Sequence, residues 1–253
     1  MMAEDESLDP SVKPFVGHLD DLRKTIIFSA AFICIGVVIA IPLAPYILDW
    51  LKLPYYAAGL DKEVPLRVYQ VGGALSIALR IVIWSGLLFS LPFVVLSVGN
   101  FVFPGLRETE KHAITRGAAF SVGLFVLGVW MCYRWTVPTA LQVMLRIGVW
   151  LGAPAEFWET SGYVSFVLKL LIAFGLTFQM PIILLILGNM GIISSRVLRD
   201  KRRHVAVGLM ILAMFMTPSD PFTMIMMGTP LIGLYEICIW MIWIRERRHR
   251  KQG

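Results

Sequence analysis

The residues with most chemical potential are charged ones set where an apolar chain has least use for them. His18-Leu19-Asp20-Asp21-Leu22-Arg23 stands immediately before the first long apolar run, and Glu108 and Glu110 lie in a short charged segment after the second. A carboxylate receives a guanidinium through two parallel hydrogen bonds, so a pair of carboxylates suits a ligand with adjacent arginines. The plainer alternative pairs these acids with Arg23, Arg107 and Lys111 as solvated surface charges.

Other polar side chains fall within apolar runs, where a charge at mid-membrane costs about 2.5–3.5 kcal/mol. Arg80 and Lys169 lie within two turns of the ends of their runs and can snorkel to the interface. Gln179 lies too deep for that and is followed by Pro181; its amide calls for a hydrogen bond to a neighbouring helix or for a docking partner. Glu236 either pairs with a cation or stays protonated, and Asp220 sits in a Thr217–Pro221 turn where it can cap the following helix.

Catalytic patterns are missing from this inventory. There is no HExxH, no GxSxG and no glycine-rich phosphate loop, and the four histidines (His18, His112, His204, His249) lie at or beyond the edges of the apolar runs. The three cysteines (Cys34, Cys132, Cys238) lie inside apolar runs without metal-like spacing. No catalytic residue, metal or other cofactor is expected, and the chain reads as something other than an enzyme.

The elements that carry these residues follow from composition. The 253 residues are 57% hydrophobic and 16% charged, against roughly 25% charged in soluble domains, and the mean hydropathy is +0.73. A polytopic, all-α integral membrane protein is predicted. Six transmembrane helices are expected at about 25–48, 72–103, 117–133, 163–193, 205–219 and 222–244, the fifth and sixth short or interrupted. They form one membrane domain over 25–244, preceded by an N-terminal segment, 1–24, and followed by a basic tail, 245–253. Asp49–Val71 and Arg134–Gly162 read as connecting segments. The opening residues are acidic with no basic n-region, so the first run is expected to remain as an anchor.

Of the 23 lysines and arginines, 16 fall on the side of both termini and 5 on the other. The positive-inside rule therefore puts both termini in the cytoplasm, and the same placement between apolar runs argues against nucleic acid as a partner. A fifth run this short cannot match a hydrocarbon layer of ~30 Å, so local thinning of the bilayer is expected beside it. A runner-up reading is a secondary transporter or channel for a small solute, with Arg80, Lys169, Asp220 and Glu236 along its path.

From about Phe15 to Glu236 the chain resembles the TatC family, the multispanning subunit of the twin-arginine protein translocase. The resemblance is carried by the His18–Arg23 segment, Asn100-Phe101-Val102-Phe103-Pro104-Gly105-Leu106, Glu110-Lys111, Gly162-Tyr163-Val164-Ser165-Phe166, Ala173 through Pro181, Thr217-Pro218-Ser219-Asp220 and Leu234-Tyr235-Glu236. It implies a receptor in the bacterial cytoplasmic (inner) membrane that binds paired-arginine signal peptides of folded precursors and organises partners for export driven by the proton-motive force. By position, Glu110 and Asp21 would hold the arginine pair, and Leu22, Arg23, Phe101 and Pro104 would shape the site. Gln179 would be the docking point for single-span subunits of the TatA and TatB type; Pro54, Glu159 and Asp220 would serve structure or assembly on the outer side. The implied partners are these subunits, the signal peptides, other copies of the chain and the bilayer. Three positions depart from the family's usual residues: Asp21 is one methylene shorter than a glutamate, Ser219 stands for a proline, and Gln179 cannot ionise.

Overall fold

The structure is a computed structural model that describes residues 12–60, 65–102, 111–153, 157–189, 193–216 and 221–250. Nine helices are found among them: α1 Val12–Ala57, α2 Gly73–Val102, α3 Lys111–Met131, α4 Val137–Trp150, α5 Thr160–Thr177, α6 Met180–Asn189, α7 Ser195–Asp200, α8 Arg202–Met216 and α9 Pro221–Arg250. Two short strands, β1 (Leu66–Arg67) and β2 (Trp158–Glu159), pair in parallel. Four segments are long and apolar enough to cross a membrane: Leu19–Ala57, Gly73–Gly99, Phe120–Trp150 and Thr160–Leu184; Gly228–Ile244 is a shorter apolar helix. The chain is a mostly helical, multi-pass membrane protein.

The core is organised on α5. In the most apolar part of the Thr160–Leu184 segment 67% of residues are buried, against 11% for Leu19–Ala57. α2 and α3 flank α5, and α1 packs along α2. Two glycines set that last contact. A Cβ on Gly36 would lie 2.5 Å from the carbonyl oxygen of Gly86, and one on Gly86 would lie 2.6 Å from the Cα of Val37. The backbones themselves touch, which only a side-chain-free position permits.

Two helices run past the expected spans. α1 continues through Asp49 to Ala57 although Pro42, Pro45 and Pro54 lie within it. It stops in a Schellman turn, with Gly59 at φ +74°, the Gly59 N–H on the Tyr56 carbonyl and the Leu60 N–H on the Tyr55 carbonyl. After Met131 the chain does not leave the helix either. A π-helical turn, Cys132–Thr136, joins α3 to α4, just ahead of Pro138. Pro138 lacks an N–H and its ring crowds the preceding turn, and the wider π turn accommodates it. Proline reads as a stop in sequence, but surrounding packing overrides that preference at each of these sites.

The fourth expected span is broken. α5 ends at Thr177 and α6 starts at Met180. Pro181 supplies no N–H to the Thr177 carbonyl and disfavours helical geometry at the residue before it. Thr177 adds to the bend by donating its hydroxyl to the Ala173 carbonyl at 2.7 Å. α8 has 15 residues, roughly 22 Å of helix, shorter than the hydrocarbon layer.

Candidate functional site

Asp21, Leu22 and Arg23 lie on exposed helical turns of α1. Asp20, not Asp21, is the carboxylate occupied within the chain: it meets Lys24 Nζ at 2.7 Å, one turn on. Among the described residues the ion pairs are Lys24–Asp20, Lys52–Asp49 and Arg202–Glu236, and Asp21 and Arg23 enter none of them. The side chain of Leu22 is 38% exposed.

The glycine crossing relates this segment to the end of α2. Asp21 is 15 residues before Gly36 and Phe101 is 15 residues after Gly86. In antiparallel helices that touch at those glycines, both positions stand about 22 Å from the crossing and so at one level. Phe101 falls in the last turn of α2. Pro104 and Glu110 lie outside the described residues.

Gln179 occupies the α5–α6 break and is 1% exposed. Its Oε1 accepts the Ser121 hydroxyl at 2.5 Å and its Nε2 donates to the Ser121 carbonyl at 3.1 Å, so the amide bridges to α3. Gly128 and Gly175 frame the bridge: a Cβ on either would fall 2.6 or 2.4 Å from the rings of Phe178 and Phe125. Leu176, Met180 and Ile183, spaced along the helix beside Gln179, are 49%, 36% and 43% exposed. Of the two roles open to this amide in the sequence, the hydrogen bond to a neighbouring helix is the one formed. Gln179→Leu leaves the Ser121 hydroxyl without its acceptor and is expected to lower stability by about 1–3 kcal/mol. A cycle with Ser121→Ala in detergent thermal unfolding is expected to give a coupling of about 0.6–1.7 kcal/mol; additive losses would show that the bridge contributes nothing.

At the opposite end of α1, Pro54 is buried. Lacking an N–H, it leaves the Trp50 carbonyl without its helical donor, and Tyr133 supplies a hydroxyl there at 2.6 Å. The two rings stack with centroids 3.9 Å apart. Tyr163 donates to the Leu51 carbonyl at 2.5 Å. Glu159 ends β2 at the N-cap position of α5, where its negative charge complements the helix dipole; it accepts from Ser161 at 2.9 Å. Thr160 donates to the Arg67 carbonyl at 3.1 Å across the β1–β2 bridge. Pro54 and Glu159 thus belong to one cap, while Asp220 lies outside the described residues.

Sequence reasoning missed the tyrosines. The i+4 relation of Trp50 to Pro54 was the available signal, because it marks an acceptor that some other chain segment must satisfy. The basic stretch ahead of α8 is likewise held to α9. Arg202 meets Glu236 at 2.7 Å, the Ser195 N–H and hydroxyl both bond Glu246, and Tyr235 donates to the Leu198 carbonyl at 2.9 Å. Glu236 therefore takes the paired alternative.

A family model described as Sec-independent protein translocase protein (TatC) matches residues 17–230. The chain belongs to the TatC family. A TatC of Campylobacter jejuni is 32% identical over 226 residues, covering 89% of this chain and 91% of the relative. That of Aquifex aeolicus is 31% identical and covers 94% and 98%. Two crystal structures of the twin-arginine translocase receptor TatC superpose on this TatC-family chain. One, in DDM, has a TM-score of 0.79 at 32% identity and covers 88% of this chain and 98% of its own. The other has a TM-score of 0.78 at 31% identity. The fold of this TatC-family chain is therefore that of a protein translocase component.

Proposed function

We propose that this chain is the receptor that binds paired-arginine signal peptides at the cytoplasmic face, with Glu110 and Asp21 as the carboxylates that take the guanidinium groups. The carrying observation is the exposed Asp21 carboxylate, in no ion pair among the described residues, next to an Asp20 already held by Lys24, in a fold shared with the twin-arginine translocase receptor. Leu22, Arg23, Phe101 and Pro104 shape the site around the pair.

In this reading the chain makes six passes through the bacterial inner membrane with both termini in the cytoplasm, and the Pro54–Glu159 cap with Asp220 faces outward. Single-span subunits of the TatA and TatB type dock beside Gln179, on the exposed Leu176, Met180 and Ile183 face. The Gln179 amide holds the bend that presents this face. Other copies of the chain complete the complex, and the proton-motive force drives export.

Photo-cross-linking to a precursor with paired arginines tests the receptor role. Each charge-assisted contact contributes about 1.5–3 kcal/mol, so Glu110→Gln with Asp21→Asn is expected to weaken capture by about a hundredfold or more. Undiminished capture by a normally inserted double variant would overturn the assignment. Because Asp21 has a shorter reach than a glutamate, Glu110→Gln alone is expected to cost more than Asp21→Asn alone.

A further inference from the structure

Two cations on neighbouring helices, Arg80 and Lys169, are left over by the receptor reading. Arg80 lies seven residues into α2 and Lys169 nine residues beyond the start of α5, about 10 and 14 Å along their helices from the β1–β2 end. Both are exposed, and neither enters an ion pair among the described residues. The Arg80 guanidinium is fixed in place: Nη1 donates to the Ser165 hydroxyl at 2.7 Å. That hydroxyl in turn donates to the Ser161 carbonyl at 2.8 Å. Ser165 is buried, so the anchor is neutral and leaves the positive charge uncompensated.

Lys169 follows Ser165 by four residues and shares its helix face. Tyr163, two residues before Ser165, packs with Tyr55, and Tyr55 packs with Trp158. Tyrosine and tryptophan collect at headgroup level, so the two cations sit just beneath that level. Farther along the same helices stand Ile83, 56% exposed, and a half-buried Ile172. Cations above and bare apolar side chains below match one amphiphile, with an anionic head and hydrocarbon tails.

We propose that Arg80, Lys169 and Ser165 form a binding site for the phosphate of a glycerophospholipid from the leaflet at the β1–β2 end, its acyl chains lying along Ile83 and Ile172. The guanidinium supplies donors in a planar fork and the ammonium a mobile point charge. An anion at this place cancels charge that would otherwise lie exposed below the interface. The site stands apart from Asp21 and Glu110 and does not depend on which side of the membrane this leaflet faces.

The test is a titration of the purified full chain in detergent with short-chain phosphatidylglycerol, read by native mass spectrometry, with inorganic phosphate in a parallel arm. Wild type is expected to retain the lipid. R80Q/K169Q is expected to bind it about a hundredfold more weakly, the loss of two charge-assisted contacts at about tenfold each. Inorganic phosphate is expected to bind poorly, because it lacks the tails. K169Q alone removes a charge that enters no ion pair among the described residues and is expected to weaken binding with elution unchanged, so the site can be read even if the Arg80 variant misfolds. R80K/K169R keeps both charges but exchanges fork and point charge, and is expected to bind more tightly than R80Q/K169Q. Equal lipid retention by wild type and K169Q, or inorganic phosphate binding as tightly as the lipid, would overturn the proposal.

Discussion

Gly86→Val is expected to leave the chain without a stable α1–α2 pair. A Cβ at Gly86 meets the Val37 backbone at 2.6–2.7 Å. No rotamer change relieves a clash with main chain, so the helices must separate. Overpacking of cores costs about 1–3 kcal/mol, occasionally more, and this contact belongs at or above the upper end. Helix association in a membrane depends on close packing, since lipid is as apolar as the side chains it replaces. Thermal unfolding in detergent and yield after extraction read the outcome. Gly123→Ala is the matched control: nothing lies within 4 Å of its Cβ, and alanine is the better helix former by up to about 1 kcal/mol. A Gly86→Val protein as stable as wild type would mean that the two helices do not touch at their backbones. The damage should also reach signal-peptide capture, because this crossing sets Asp21 and the end of α2 at one level.

Tyr133→Phe is expected to cost about 0.5–1.5 kcal/mol, the net contribution of one hydrogen bond, with part of the ring stacking on Trp50 retained. The sharper expectation concerns its combination with Pro54→Ala. Alanine restores an N–H at position 54 that bonds the Trp50 carbonyl within the helix, and the hydroxyl of Tyr133 then has little left to do. The cost of Tyr133→Phe should therefore fall to a few tenths of a kcal/mol in the Pro54→Ala background, measured as a double-mutant cycle. An unchanged cost would show that the hydroxyl serves something other than the proline's missing donor.

Much of the architecture was legible because lipid exposure writes itself into composition: long apolar runs admit few structures other than helices. The helix ends were harder. At Ala57 and Trp150 the stop is a glycine with positive φ, Gly59 and Gly152, placed two residues beyond the last helical residue, whereas the prolines inside α1 and at the second position of α4 favour earlier ends. Proline preference is local, and the hydroxyls and wide turn that override it come from residues far away in sequence or from packing. Gln179 was legible as a polar group needing a partner, but Ser121, 58 residues away, carries no signal of its own. Arg80 and Lys169 were visible as costs; their shared helix seam became visible only through Ser165.

The parallel bridge between Leu66–Arg67 and Trp158–Glu159 has a mechanical consequence. It holds Leu66 and Arg67, just ahead of the second rod, against the doorstep of the central one, which ties those two rods together at that extremity. With the near tip of the first rod moored by Tyr133 and Tyr163, a tug on its far tip, where a cargo leader would grasp Asp21, would work against an anchored end.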